Sequence, residues 1–235
     1  MNRTRSALPA IVAGLAAAVL LASCATVNHL DRIRFENPRL SAVLQPPPEP
    51  SLDAWYDLSI NTEDPIGTVL RIGSSIVKAA EAEKAGARMR EALGRVDVPE
   101  VVFAESSARC VRALGADRVG DARDADVVLE LEIEDYGINA PSWGSAVSLE
   151  IETTVRLYDR RSHDLLWRRH ITVTRRASPE VFGLPGAAES IFTAAMLASL
   201  STEDMVRGFS SLAQYAARVI GDTLERDLWN AGGDW

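Results

Sequence analysis

Apolar and polar residues alternate in three stretches of the chain. Over 126–136, Val127, Leu129, Leu131 and Ile133 fall on one side and Glu130, Glu132 and Glu134 on the other. Over 147–158, Val147, Leu149, Ile151, Val155 and Leu157 oppose Glu150, Glu152 and Arg156. Over 164–176, Leu165, Trp167, Ile171 and Val173 gather on one side. Period-two alternation predicts strands of a sheet with one buried and one wet face. A turn at Asp159-Arg160-Arg161-Ser162-His163 joins the last two. Matched apolar faces require Leu157 opposite Leu165 or opposite Trp167. The first register sets Glu152 against His170. The second sets Arg156 against Arg168, a like-charge pair, so the first is expected.

Other stretches repeat every three or four residues. Ile66, Val69, Leu70, Gly73, Ile76, Val77 and Ala80 predict a helix over 65–93, capped by Asp64 and started by Pro65. Its charged, Ala-rich half from Glu81 to Arg90 should be the more exposed. A second helix is predicted over 99–114, ended by Gly115. An acidic loop is expected over 116–125. A last helix over 202–229 carries Met205, Phe209, Leu212, Ala216, Val219, Thr223 and Leu224 as its stripe, closed by Leu228 and Trp229. Ser201 and Asp204 have capping-box spacing. The fold class is therefore α+β: two layers, an antiparallel sheet of three or more strands with helices on one face.

Between these elements, 187–200 is helical in propensity but apolar nearly all round. Ile191, Phe192 and Leu197 there are either core or an exposed docking patch. Trp143, in a loop between strands, is the other candidate contact.

The 235 residues allow one domain of ordinary size and a tail. A net charge of −8 argues against nucleic acid as main partner. Two cysteines exclude a disulfide-dense scaffold and a four-cysteine zinc site, and three histidines leave little for a metal centre. No phosphate-loop, dinucleotide, nucleophile-elbow or H-E-x-x-H motif occurs. No catalytic residue, cofactor or metal is expected, and the chain reads as a non-enzyme. Asp117, Asp121, Asp124 and Asp126 lack calcium-loop spacing. The glutamate stripe reads as a solvated sheet face. Arg160, Arg161, Arg168, Arg169, Arg175 and Arg176 form a basic cluster, with Arg168 and Arg169 as candidate contacts for an anion or partner. Cys110 lies in a helical pattern and reads as buried.

The N-terminus is a separate unit. Arg3 and Arg5 precede an apolar run over 7–22, short of the roughly twenty residues a spanning helix needs. It ends in Leu21-Ala22-Ser23-Cys24. This motif resembles the lipobox of bacterial lipoproteins. The resemblance implies a signal peptide over 1–23, removed before Cys24, and acyl chains on Cys24. At about 0.8 kcal/mol per buried methylene, two or more chains anchor a protein stably. The absence of Asp at Ala25 and Thr26 implies, in a two-membrane host, the outer membrane with the domain in the periplasm. Removal of the leader takes Arg3, Arg5 and no acidic residue. That leaves 23 basic against 33 acidic side chains, a balance of −10 over 212 residues.

Residues 24–51 hold five prolines between Pro38 and Pro50 and are expected to be an extended, lipidated tether, leaving 52–235 as the domain. Leu30, Ile33 and Phe35 could dock back as a short strand. A tether, a small α+β domain and a long final helix are similar to auxiliary lipoproteins of ABC-type lipid-transport systems, and to lipoprotein activators of cell-wall synthases. The similarity runs over 125–230, through Ala125-Asp126-Val127-Val128-Leu129-Glu130, Val155-Arg156-Leu157-Tyr158-Asp159, Leu166-Trp167 and the helix from Tyr215 to Leu228. It implies a non-enzymatic accessory or assembly subunit of an envelope complex, with an envelope protein as partner. A lipid- or glycan-binding module is the alternative.

Overall fold

The computed structural model describes residues 26–33, 37–52, 84–139, 146–183 and 193–232. The three alternating stretches are the long strands β5 (Val127–Asn139), β6 (Ser148–Asp159) and β7 (Leu165–Arg176). They form an antiparallel meander. Four short strands extend it: β1 (Val27–Asn28), β2 (Arg39–Leu44), β3 (Ser51–Leu52) and β4 (Asp117–Arg118). The order is β1-β7-β6-β5-β2-β4, with β3 also on β5. β2 and β3 run parallel to β5, and β2 parallel to β4, so the sheet is mixed.

The expected tether is corrected by this arrangement. β1, β2 and β3 all fall within 24–51 or end one residue beyond it, and the domain starts by Val27. Leu30 and Leu40 are fully buried. Leu30–Arg32 is a single 3-10 turn rather than a strand. The proline run bridges two pairings on the same neighbour. From Leu44 to Ser51 the chain takes seven steps while β5 takes six from Leu131 to Gly137. Gln45 donates its N–H to the Leu131 carbonyl at 2.9 Å. Prolines beyond it have no N–H to continue a ladder. The run thus flanks β5 instead of leaving the domain.

Helices cover one face. α1 is helical over 84–95, α2 spans Val98–Ala113, α3 Ala194–Ser199 and α4 Thr202–Asn230. Of the first predicted helix, 65–83 lies outside the described residues. In α1, Ala85, Met89 and Ala92 are fully buried, so the half expected to be exposed has a core face. Asp97 caps α2 by accepting from the Glu100 N–H at 3.0 Å, and Gly115 ends it at φ +57. The 116–125 loop holds β4 and a 3-10 turn, Ala122–Asp124.

The capping box of α4 is formed. Asp204 N–H donates to Ser201 Oγ at 3.1 Å, and Ser201 N–H to Asp204 Oδ2 at 3.1 Å. α4 packs across α2 and touches β6 and β7. Its buried positions include Ala213, Ala217 and Ile220, while Val219 and Thr223 of the expected stripe are half-buried. Two glycines set close approaches. A Cβ on Gly208 would lie under 3.0 Å from the buried Phe182 ring, and one on Gly221 at 2.7 Å from Arg109 Cβ of α2.

Candidate interaction face of the sheet

The register of β6 and β7 decides what the open face carries. Leu157 pairs with Trp167 and Arg156 with Arg168, the register the like-charge argument rejected. The repulsion is offset from the other side of Arg156: its Nη1 lies 3.0 Å from Glu130 Oε1 and 2.7 Å from Glu132 Oε2, both on β5. The neutralising pair comes from a third strand outside the β6–β7 hairpin. A bulge between Leu157 and Tyr158 then puts Tyr158 opposite Leu165, so Leu165 leaves the apolar face and the extra residue Leu166 is buried. In the turn, Asp159 Oδ1 accepts the N–H of Arg161 at 2.8 Å and of Ser162 at 2.9 Å, and His163 takes φ +60.

The face of β5, β6 and β7 that no described helix covers is a grid of interlocked polar groups. Cross-strand rows run Glu130, Arg156, Arg168; then Glu132, Thr154, His170; then Asp135, Glu152, Thr172. A second bulge, at Glu134, breaks the β5 ladder and swings this carboxylate toward the middle row. Thr154 Oγ1 donates to Glu134 Oε1. His170 Nε2 lies 2.8 Å from Glu152 Oε1, and His170 Nδ1 3.3 Å from Thr154 Oγ1 and 3.6 Å from Glu134 Oε1.

Glu134, Glu152 and His170 are thus the one group of three possible metal ligands among the described residues. The two carboxylates approach opposite ring nitrogens. One ligand atom from each of the three residues lies within 4.8 Å of the others, and the Thr154 hydroxyl donates to Glu134 inside the same cluster. The sequence placed His170 on the wet face but not between two carboxylates, because the Glu134 bulge has no sequence signature.

The basic cluster is dispersed. Arg168 and Arg169 lie on opposite faces. Arg168 belongs to the open grid. Arg169 sits in a core row beside Leu131 and Val155, and its Nη2 donates to Asp227 Oδ1 of α4 at 2.8 Å. Trp167 Nε1 donates to Asp227 Oδ2 at 2.8 Å. Burial acts to raise the Asp227 pKa, but the Arg169 and Trp167 hydrogen bonds outweigh it and hold the carboxyl below its ordinary value. Arg175 lies over the Tyr215 ring at 5.0 Å, and Arg160 Nε donates to the Ala125 carbonyl at 2.8 Å. Arg169 is therefore tied to α4 on the core side of the sheet.

Leu197 is fully buried, which places it in the core rather than on a docking patch. Ile191, Phe192, Trp143 and Cys24 lie outside the described residues. Asp121 pairs with Arg123 at 2.9 Å and Asp126 with Arg39 at 3.2 Å, so these acids neutralise neighbouring arginines. Cys110 is buried in α2, and burial pushes its thiol up to about 12. Trp229, expected to close the α4 stripe, is 80% exposed, while Leu228 beside it is core. No described helix is long and apolar enough to cross a membrane.

No family model matches the chain. No curated protein matches it either. Among solved structures, it is similar to protein XCC0632 from Xanthomonas campestris, described as family DUF330. The identity is 17% and the TM-score 0.31, over 50% of this chain. The match spans about half of that relative, 54% of its length. A likeness at this level assigns neither family nor function.

Proposed function

We propose that this protein is a lipid-anchored envelope lipoprotein and a non-enzymatic accessory or assembly subunit of an envelope complex. In this reading Cys24 carries the anchor, the domain faces the periplasm from the outer membrane, and a protein partner binds the open sheet face. A lipid-transport system or a cell-wall synthase is the kind of complex that suits it. The observation that carries the reading is that the described helices lie on one side of the sheet. They leave the wet face of β5–β7 as a broad polar grid, with five carboxylates set against Arg156, Arg168 and His170. Such a face suits polar complementarity with a protein and offers no apolar bed for an acyl chain. Burial of Leu197 takes one of three apolar candidate contacts from the partner reading and the lipid-binding reading alike.

The test has two parts. Cys24→Ser should release the protein from membranes; unchanged fractionation removes the anchor. A photocrosslinker at Thr172, exposed on the grid, should trap an envelope protein in cells. The same group at Glu105, exposed on α2 in the other layer, should not. Recovery of lipid alone, or equal capture from both positions, overturns the assignment of the face.

A further inference from the structure

We infer that the end of the domain built from β1 and the last turns of α4 lies against the bilayer, with Trp229 seated at the lipid–water interface. The inference rests on the reading that Cys24 is the lipidated residue. Three Cα steps separate Cys24 from Val27, the first residue of β1. A fully extended chain covers about 11 Å over three residues. Since β1 is hydrogen-bonded onto β7, an anchor on Cys24 holds the sheet edge itself at the membrane surface. The proline run, which would have provided reach, is spent alongside β5.

The same edge carries the end of α4. Asn28 Nδ2 donates to the backbone carbonyl of Asp227 at 3.1 Å. Trp229 follows two residues later and is 80% exposed. Among the described residues the other exposed large hydrophobic is Val43, at 40%, on β2. Four strand spacings separate β1 from β2, about 19 Å across the sheet. The larger exposed apolar side chain thus sits where the chain is tethered and the smaller one far from it. An indole suits that position because its ring is apolar and its N–H can meet headgroup or water oxygens. Arg226 is exposed one turn earlier on the same side of α4. Asp222 and Glu225 are exposed as well, so there is no net positive patch and the indole carries the contact.

The test uses the full-length lipidated protein in phosphatidylethanolamine–phosphatidylglycerol vesicles. An environment-sensitive fluorophore is attached through Trp229→Cys or, separately, Val43→Cys; buried Cys110 stays unlabelled. Relative to the same labelled chain carrying Cys24→Ser, the fluorophore at 229 should brighten severalfold and shift to the blue, and that at 43 should not change. A protein that floats with the vesicles while its 229 label keeps the emission of the soluble form overturns the inference and leaves the anchor intact. A protein with Cys24 present that fails to float overturns the anchor and the inference together.

Discussion

Replacing Asp227 with Ala leaves two donors without an acceptor. The Trp167 indole, with no exposure, gives its N–H to Asp227 Oδ2, and the Arg169 guanidinium faces both carboxylate oxygens. An orphaned buried donor costs about 1–3 kcal/mol. Removing one member of a buried ion pair costs about 3–5 kcal/mol. The Arg169 side chain keeps 24% exposure against 6% for Asp227, so it can turn partly to water and the low end applies. The expected loss for Asp227→Ala is about 3 kcal/mol, read by urea denaturation followed by circular dichroism. In a domain of this size that lowers Tm by about 6–12 °C. A cycle with Arg169→Met should show a coupling of about 1–3 kcal/mol. A loss under about 1 kcal/mol, or additivity of the two variants, refutes the reasoning. The pH dependence has a definite sign. The folded carboxyl titrates below its unfolded value of about 3.9, so its contribution is complete above that value and is lost as pH falls through the folded one. Wild-type stability should therefore decline below about pH 4, and Asp227→Asn should flatten that decline.

Gly208→Ala should destabilise the domain although Ala favours a helix by about 1 kcal/mol, because overpacking against the Phe182 ring costs about 1–3 kcal/mol. Phe182→Leu should relieve that clash, and a Tm for Gly208→Ala above wild type refutes the contact. The Cys110 thiol, buried and pushed up to about 12, should resist a thiol reagent at pH 8 until the protein unfolds. Immediate labelling of native protein at position 110 would show α2 packed less tightly than its burial implies.

Elements with long, regular periodicity were legible from residue types alone: β5, β6, β7, α2, α4 and its capping box. β1, β2 and β3 were not. Two of them are two residues long, and all three lie in a segment whose prolines suggest a spacer. Their pairing partners lie roughly 80 to 140 positions away, so no local pattern announces them. The open grid was half legible. Alternation assigned Glu130, Glu132 and His170 to the wet face, but the bulges at Glu134 and Leu166 set who meets whom, and these follow from packing across three strands. Arg169 shows the same limit. An arginine beside another arginine reads as surface charge until a carboxylate from α4, 58 residues on, is brought onto it.

By itself the sequence determined which side of each long strand and helix is apolar. That is a local property, because side-chain direction follows the backbone period of 2.0 or 3.6. It also carries Leu21-Ala22-Ser23-Cys24, a linear motif that resembles a lipobox. Tertiary structure decided the rest. It chose a register in which Leu157 and Trp167 meet, because Glu130 and Glu132 of β5 neutralise the Arg156 that this register sets beside Arg168. It drew the proline segment into the sheet, because β5 had an unpaired edge with hydrogen bonds to complete. And it left Trp229 outside while taking Leu228 in, because one residue along a helix turns about 100° and only one of the two could face α2 and the sheet.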